Sequence, residues 1–276
     1  MKKIRPVTVF AYITAVITVL LIVFPLYLTV IIAFKSPEES ALNFFSPPSS
    51  LYLDNFKKVV SDAHFPQYIQ NSLFITVFAV GIIAVFIPMV AYSISRNGKS
   101  RYYKFLYLYI VSGIFVPFQV LMVPLTHFAS KAHMMNRQGL VLIYITYALC
   151  QGVFLFVAYF RAVPLEIEEA AEIDGCGIVR TFFQIIYPLV KPMTATIIIL
   201  NTLWIWNDFL LPLLILNKQA LYWTLPLFQY NFKSQFTFDY NLAFASFLFS
   251  MVPMLIFYGC LQKYIIEGLT AGSVKS

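Results

Sequence analysis

Carboxylates are concentrated in one short segment of a chain that is otherwise apolar and basic. Five acidic residues lie between Glu166 and Asp174, whereas the whole chain of 276 residues has only 12 acidic residues and a net charge of +7. A carboxylate cluster of this kind suits charge-assisted hydrogen bonds to a basic partner. The same cluster also fits a solvated loop whose acids serve solubility, and the residues alone leave both interpretations open.

The residues around these acids predict two short helices joined by a tight turn, within a segment that we name the acidic loop (residues 161–192). Pro164 suits a first helical turn, and the glutamates after it favour the positive end of a helix dipole. Gly175 permits the left-handed backbone that closes a helix. The second helix should end at Pro188, and its apolar face has five members: Ile178, Phe182, Phe183, Ile185 and Ile186. A small, rigid, acidic projection suits docking into a groove on a soluble partner.

A second polar group lies inside a long apolar run. Asp208 is an ionisable residue at predicted membrane depth, where a charge is costly and usually faces a cavity or a partner. At helical spacing Asn201, Trp204 and Asp208 share one face, with Asn207 beside them. This face suits the path of a solute, and it equally suits a structural contact between helices. Gln119 is a further candidate for the path, although an isolated amide in a span more often links two helices.

The residues that would support catalysis or metal binding do not form a recognisable pattern. The sequence Asn97–Ser100, NGKS, lacks the glycine five residues before Gly98 that a phosphate-binding loop requires. The three cysteines match no metal or redox spacing. The three histidines are scattered, without the H-E-x-x-H motif. We therefore predict no catalytic residues and no metal site, and we expect that the chain is not an enzyme.

Six long apolar runs predict an all-α integral membrane protein with a single domain, residues 1–276. The chain is 60% hydrophobic and 11% charged, whereas a soluble domain has about 25% charged residues. A membrane-spanning helix needs roughly 20 mostly apolar residues. The runs that meet this length are about 8–34, 72–95, 105–126, 139–160, 193–217 and 241–261. The first run is too long for a signal-peptide core of about 7–15 residues, so we expect it to be the first span.

The basic residues predict the orientation of these spans. The N-terminus, the loop at 96–104, the acidic loop and the tail at 262–276 hold 12 of the 19 lysines and arginines, and the other three loops hold 7. Because cytoplasmic loops are enriched in lysine and arginine, we expect the acidic loop and both termini to be cytoplasmic. The positive charge then reflects membrane topology, and we expect no nucleic-acid partner.

The acidic loop also contains a recognisable motif. Glu-Ala-Ala at 169–171, Gly175, Ile185 and Tyr-Pro at 187–188 resemble the EAA loop of ABC-importer permeases, which usually has leucine in place of Tyr187. Three other stretches resemble carbohydrate-type permeases: YIQNSLF at 68–74, WIWNDFLLPL at 204–213 and QKYIIEGLTAGSVK at 262–275. The last of these is similar to the tail of the maltose-transporter-type second permease subunit and favours a sugar as the solute.

This resemblance implies a type I ABC-importer permease fold with six transmembrane helices, in a bacterial or archaeal cell membrane. The implied function is to form half of the pore of an ATP-driven importer of an oligosaccharide or other sugar. The implied partners are a second permease subunit, two ATPase subunits that bind ATP and Mg, an extracytoplasmic solute-binding protein, the sugar and membrane lipid. The chain itself would bind no cofactor.

The resemblance also assigns residues to the contact with the ATPase. In the acidic loop they are Glu169, Ala170, Ala171, Asp174, Gly175, Ile185 and Pro188. Glu169 would pair with a basic residue of the ATPase, and Asp174 would support the turn. In the tail they are Gly268, Thr270 and Gly272, which would make a slim, flexible segment that inserts toward the ATPase interface. Without the family pattern, the tail could equally be a frayed terminus.

Two other functions stay open on the sequence. The solute of the importer could be other than a sugar, for example a polyol phosphate. Alternatively, the chain could act alone as a channel or secondary transporter, which would usually show several ionisable residues near the midplane. In maltose-type importers the specific sugar contacts lie mainly in the partner permease, so the path formed by Asn201, Trp204, Asn207, Asp208 and Gln119 need not be a specific sugar site.

Overall fold

Long apolar segments fold as helices because a helix satisfies its own backbone hydrogen bonds where water is absent. The computed structural model describes residues 6–61, 64–230, 232 and 239–273. The first helices are α1 (Pro6–Ala33), α2 (Pro37–Leu42), α3 (Asp54–Ser61), α4 (Phe65–Arg96), α5 (Arg101–Ser112), α6 (Phe118–Lys131) and α7 (Arg137–Arg161). The following helices are α8 (Glu166–Ile173), α9 (Ile178–Arg180), α10 (Tyr187–Leu189), α11 (Lys191–Asn207), α12 (Leu210–Leu216), α13 (Leu225–Tyr230) and α14 (Tyr240–Ser273). A π-helical turn, Thr181–Ile186, joins α9 to α10.

The helices include four that are long and apolar enough to cross a membrane: α1, α4, α7 and the first 21 residues of α14. Two bent pairs raise the number to six if each pair is one span. One pair is Arg101–Phe115 with α6, bent by 108°, and the other is Ile178–Leu189 with α11, bent by 76°. The all-α membrane architecture expected from the sequence is therefore confirmed, with helix breaks that the apolar runs did not reveal.

The run 105–126, which was predicted as one span, is not a single straight helix. After α5, a 3₁₀ turn covers Gly113–Phe115, and Val116 then has an extended backbone with φ −88° and ψ 113°. A physical reason is Pro117, whose ring disfavours the helical conformation of the residue before it. Proline is common within apolar spans, so the composition of the run does not show that the chain turns here.

The predicted tail at 262–276 also differs from expectation, because α14 continues through it as far as Ser273. Gly268, Thr270 and Gly272 thus lie in a helix, whereas a slim, flexible segment was expected. No proline interrupts the chain between Pro253 and Ser273, and glycine weakens a helix by only about 1 kcal/mol relative to alanine. The side chains of residues 263–273 and the residues 274–276 lie outside the described part of the structure.

One compact unit comprises Met1–Pro66 and Phe228–Leu255, and its buried polar residues close the end of α1. The last carbonyls of a helix have no partner within it. Asn241 Nδ2 donates to Ile32 O at 3.0 Å and to Lys35 O at 2.9 Å. Asn55 Nδ2 donates to Ala33 O at 2.9 Å and to Lys35 O at 2.8 Å. The fully buried Lys35 ammonium donates to Asn43 O at 2.7 Å. These bonds fix the segment after α1 without an ion pair at Lys35 among the described residues.

The other unit comprises Gln67–Leu227 and Ile256–Ser276, and α7 is central to it, in contact with α5, α11 and α12. Small residues allow neighbouring helices to approach α7 closely, as is common in membrane proteins. A Cβ atom on Gly152 would lie 2.7 Å from Ile87 Cγ2 of α4, and one on Gly113 would lie 2.7 Å from Cys150 Sγ. Ile87 is fully buried, so it has little freedom to move aside.

The contact at Gly152 gives a prediction about stability. Gly152→Val should lower the thermal unfolding midpoint of the detergent-solubilised protein, because overpacking of a full site costs about 1–3 kcal/mol. Gly81→Val is the matched control, since Gly81 also lies in a long apolar helix but a Cβ there meets nothing within 4 Å. Equal unfolding midpoints for the two variants would contradict the close packing of α4 on α7.

Candidate functional site

The acidic loop begins with α8, which projects its carboxylates from a buried contact. Glu166, Glu168 and Glu169 occupy the first turn, where the positive end of the helix dipole stabilises negative charge. Ala171 is only 3% exposed, whereas Glu169 and Ala170 are exposed. The small Ala171 side chain thus lies against the rest of the protein while Glu169 points away from it. This is the projecting acidic knob that the sequence predicted.

The turn after α8 closes with the hydrogen bonds of a Schellman motif. The N–H of Cys176 donates to Ala171 O at 2.9 Å and that of Gly175 donates to Glu172 O at 3.0 Å. Gly175 has φ +79°, and a Cβ there would meet nothing within 4 Å. Glycine is therefore needed for its left-handed backbone and not for lack of space. Asp174 ends α8 as its C-cap with its side chain exposed, so it supports the turn through its backbone.

The second half of the acidic loop is a continuous helical segment, Ile178–Leu189. Phe182 and Ile186 are 4% and 0% exposed, and Ile185 and Pro188 are half-buried. The predicted apolar face is partly wrong, because Ile178 is 80% exposed and Phe183 is 41% exposed, so neither belongs to the buried face. The helix ends at Leu189, one residue after the predicted end at Pro188.

Arg96, the last residue of α4, ties the acidic loop to the membrane helices. Its Nε donates to Glu168 Oε1 at 2.6 Å, and its Nη2 lies 2.6 Å from the same oxygen. Its Nη1 donates to Phe160 O at 2.9 Å and its Nη2 to Val163 O at 3.2 Å. The Tyr92 hydroxyl donates to the other Glu168 oxygen at 2.7 Å. The two charged side chains are 14% and 17% exposed, so solvent screens this pair less than it would a surface pair.

This arrangement joins the ends of three helices at one guanidinium. The positive charge of Arg96 lies at the C-terminus of α7, and the negative charge of Glu168 lies at the N-terminus of α8, so both agree with the helix dipoles. Sequence reasoning missed Arg96, Tyr92 and Glu168 as a group. The available signal was the spacing of Tyr92 and Arg96, four residues apart at the end of an apolar run, which places both on one helix face.

The Arg96–Glu168 pair gives a prediction about the acidic loop. Glu168→Gln should speed tryptic cleavage after Arg161 and Arg180, because a charge-assisted hydrogen bond of about 1.5–3 kcal/mol is weakened and the loop opens more often. Glu166→Gln is the matched control: it removes the same charge from the same turn, but the Glu166 side chain is exposed. Mass spectrometry of the fragments gives the two rates. Identical rates for the variants would show that the pair does not hold the loop.

A space of about 600 Å³ lies between the α5–α6 bend, α7 and α11, and we name it the α7 cavity. Two of the predicted path residues line it. Asn201 and Trp204 line it, together with Phe118, Tyr147, Gln151 and Phe154. Asn207 and Gln119 are exposed and do not line it. Asn207 Nδ2 instead donates to Leu203 O of its own helix at 2.7 Å. The predicted path residues therefore do not form one surface in this structure.

Asp208 departs further from the prediction, because α11 ends at Asn207 and the backbone of Asp208 is extended, with ψ 132°. The helical register that would place Asp208 on the face of Asn201 and Trp204 does not hold. Its Oδ1 accepts a hydrogen bond from the Leu210 N–H at 3.0 Å, and its Oδ2 accepts one from the Tyr144 hydroxyl at 2.8 Å. The carboxylate therefore caps the start of α12 and links it to α7, which is the structural alternative for this residue.

The contacts of Asp208 predict which substitutions are tolerated. Asp208→Leu should lower the thermal unfolding midpoint, because the Tyr144 hydroxyl is fully buried and an unpaired buried polar group costs about 1–3 kcal/mol. Asp208→Asn should be close to wild type, since its amide oxygen can accept the Leu210 N–H while its NH2 group donates to the Tyr144 oxygen. If the asparagine variant were as unstable as the leucine variant, the negative charge itself would matter more than the hydrogen bonds.

Within the part of the chain that the structure describes, no group of three histidine, cysteine, aspartate or glutamate side chains is placed to hold a metal ion. The carboxylates of α8 instead diverge, with Glu168 directed at Arg96 and Glu169 exposed.

Comparison with known proteins identifies the family. A family model described as a binding-protein-dependent transport system inner membrane component matches residues 84–270. The multiple sugar-binding transport system permease protein MsmG of Streptococcus mutans is 44% identical, with 100% of each chain covered. The probable starch degradation products transport system permease protein AmyC of Thermoanaerobacterium thermosulfurigenes is 38% identical over 93% of each chain.

A solved structure shows the fold. A chain in the crystal structure of a bacterial ABC transporter involved in the import of the acidic polysaccharide alginate superposes with a TM-score of 0.82. The two chains are 21% identical, and the match covers 96% of this chain and 98% of that one. The fold is thus that of a type I ABC-importer permease. Since permeases of this family are transport components, the expectation that the chain is not an enzyme is confirmed. The chain belongs to the family of inner membrane components of binding-protein-dependent transport systems, the permeases of ABC importers.

Proposed function

We propose that this chain is one of the two permease subunits of an ATP-driven sugar importer, with an oligosaccharide as its best solute, and that the acidic loop couples it to the ATPase. The observation that carries the coupling role is the exposure of Glu169 and Ala170 on α8. The same helix is attached to the rest of the protein by the buried Ala171 and by the contact between Glu168 and Arg96. A knob that transmits force must be small, specific and rigidly attached. Sugar as the solute is supported by the relatives, whose names describe transport of multiple sugars and of starch degradation products.

In this mechanism the ATPase receives the acidic loop in a cleft. Glu169 pairs with a basic residue there, and Ala170 and Gly175 permit close approach of the two backbones. Asp174 supports the turn, while Ile185 and Pro188 lie in the segment that leads back to the membrane helices. Closure of the ATPase dimer then displaces the acidic loop, and hydrolysis of ATP by the ATPase resets the cycle.

The displacement reaches the pore through contacts that the acidic loop makes with α4 and α7. Arg96 connects α8 to the end of α4 and to the last carbonyls of α7. The Tyr187 hydroxyl donates to Ala84 O of α4 at 3.0 Å. Since each contact joins the loop to a long helix, a shift of the loop moves α4 and α7. Because α7 lines the α7 cavity, this movement changes the cavity and provides alternating access to the two sides of the membrane.

The remaining partners follow from the same proposal. ATP and Mg bind to two ATPase subunits and not to this chain. A second permease subunit completes the pore, membrane lipid surrounds it, and an extracytoplasmic binding protein delivers the sugar to the side opposite the acidic loop. Both termini are then cytoplasmic, and Gly268, Thr270 and Gly272 extend α14 toward the ATPase as a helix.

A polyol phosphate is the second candidate solute within the same mechanism. A doubly negative phosphate would call for basic groups along its path, because an unpaired charge at membrane depth is costly. The described residues that line the α7 cavity include no lysine, arginine or histidine, which favours a neutral sugar.

A channel or secondary transporter would work without an ATPase. The requirement for an ATPase partner therefore separates an importer permease from a channel or secondary transporter.

The first test is capture of the ATPase by the solubilised chain, wild type against Glu169→Lys, with the captured proteins identified by mass spectrometry. We expect the wild type to retain an ATPase and the variant to lose at least about 90% of it, since a charge-assisted contact of about 1.5–3 kcal/mol becomes a repulsion. Glu38→Lys is the control: it changes the charge by the same amount at an exposed position in α2, on the predicted outer side, and should retain the ATPase.

Two results would count against the proposal. Equal capture by wild type and Glu169→Lys would place the ATPase contact elsewhere. Capture of no ATPase, combined with sugar flux through liposomes that contain the chain alone, would establish a self-sufficient channel.

A further inference from the structure

A proline leaves one backbone carbonyl of α4 without its ordinary donor. In an α-helix the N–H of each residue donates to the carbonyl four residues earlier, and proline has no N–H. Pro88 lies inside α4, so the carbonyl that lacks this donor is that of Ala84. Ala84 is only 8% exposed, and a backbone carbonyl at membrane depth needs a donor from another part of the protein because water is absent there.

The acidic loop supplies this donor. The Tyr187 hydroxyl donates to Ala84 O at 3.0 Å, although the two residues are 103 positions apart in the sequence. The hydroxyl thus takes the place of the N–H that Pro88 lacks. The EAA loop usually has leucine in place of Tyr187, and a leucine side chain has no hydrogen-bond donor. This contact is therefore not a consequence of the motif that the acidic loop resembles.

The Tyr187 ring is positioned by packing of the acidic loop along α4. Its centroid lies 5.8 Å from that of Phe182, and Phe182 lies 5.2 Å from the ring of Tyr92 in α4. Phe182 is only 4% exposed. The segment Ile178–Leu189 therefore contacts α4 at two levels, at Tyr92 and at Ala84, which are about 12 Å apart along the helix at a rise of about 1.5 Å per residue.

The turn of α4 that receives the Tyr187 hydroxyl also contacts α7. Ile87, beside Pro88, is fully buried, and a Cβ on Gly152 of α7 would lie 2.7 Å from Ile87 Cγ2. Proline is also the usual place at which a long helix bends, since an intrahelical hydrogen bond is missing there. The acidic loop thus reaches α4 at its weakest turn, and this turn packs directly on α7.

We infer that Tyr187 is a positioning residue for coupling: its hydroxyl replaces the N–H missing at Pro88, so displacement of the acidic loop acts directly on this turn of α4. The inference rests on the proposed function and deepens it, because it assigns one step of the transmission to a single hydrogen bond. Arg96 holds the acidic loop to the end of α4, whereas Tyr187 engages α4 about 18 Å further along the helix.

The first test is a double-mutant cycle in thermal unfolding of the detergent-solubilised chain. Tyr187→Phe removes only the hydroxyl and should lower the unfolding midpoint. Pro88→Ala restores an N–H to α4, so in this background Ala84 O has an intrahelical donor and the loss caused by Tyr187→Phe should shrink at least about twofold. Pro25→Ala is the matched control, because it removes a proline from inside α1 and should leave the loss unchanged. Equal losses in the three backgrounds would overturn the link between Tyr187 and Pro88.

The second test measures coupling in proteoliposomes that contain the complete importer with its ATPase and binding protein. The probes are radiolabelled maltotriose and raffinose, and the readout is the number of sugar molecules imported per ATP hydrolysed. We expect Tyr187→Phe to lower this ratio at least about threefold, the effect of losing one neutral hydrogen bond. Tyr159→Phe removes a hydroxyl from a half-buried tyrosine of α7 and should keep the wild-type ratio.

The double variant Tyr187→Phe, Pro88→Ala separates a positioning role from a merely structural one. It should recover the unfolding midpoint, because the carbonyl has a donor again, but not the import ratio, because the acidic loop still lacks its bond to α4. Recovery of both quantities would show that the hydroxyl only satisfies the carbonyl and would overturn the inference. An import ratio that Tyr187→Phe leaves unchanged would also overturn it.

Failure of the proposed function would be recognised separately. A wild-type complex that retains no ATPase, or that imports neither sugar, would contradict the sugar importer. The unfolding cycle requires neither the ATPase nor a sugar, so it tests the contact of Tyr187 with the turn at Pro88 in either case.

Discussion

The guanidinium of Arg96 is the contact on which the arrangement of the acidic loop depends. A helix leaves its last carbonyls without partners, and at the end of α7 two carbonyls, Phe160 O and Val163 O, accept hydrogen bonds from this one side chain. The same group pairs with Glu168. Arginine suits this position because its planar fork can serve several acceptors at once, which a lysine ammonium on a flexible stem does less well. The α8 helix is thereby fixed relative to α4 and α7.

The breaks in the apolar helices follow from a related constraint. Backbone groups at membrane depth must find partners or line a cavity, so a helix can stop there only where other groups replace its own hydrogen bonds. At Asp208 the carboxylate accepts the Leu210 N–H and the Tyr144 hydroxyl. At Pro117 the missing N–H removes one group that would need a partner. Gly113, beside this second break, lines the α7 cavity.

The sequence predicted those features that depend on local residue type. The apolar runs identified α1, α4, α7 and α14 because length and hydrophobicity define a span. Gly175 marked the end of α8 because a left-handed residue strongly favours glycine. The family motif assigned Glu169 and Ala170 to the ATPase contact, which stays a prediction, and both residues are exposed in the structure.

Features that depend on contacts distant in sequence were not predictable in this way. The partner of Glu168 lies 72 residues earlier, at Arg96, and nothing in the acidic loop identifies it. Helical periodicity assigned Asp208 to the face of Asn201, because a periodic pattern assumes that the helix continues. The polar residues of α7 carried a signal that was overlooked: Tyr144, Tyr147 and Gln151 follow the i, i+3, i+7 spacing of one helix face, and two of them line the α7 cavity.

The position of α7 explains how one subunit can connect events at the acidic loop with events in the cavity. Its last turn accepts a hydrogen bond from Arg96 at Phe160 O, and Gln151 lies nine residues earlier on the cavity wall. At a rise of about 1.5 Å per residue these points are only about 14 Å apart along one helix. Phe156 and Phe160 are fully buried, so this part of α7 is tightly packed. In the proposed mechanism, a shift of α8 that pulls on Arg96 is transmitted along α7 to the part of the helix that lines the α7 cavity. No separate signalling element is then needed, because the same helix contacts the acidic loop and lines the cavity.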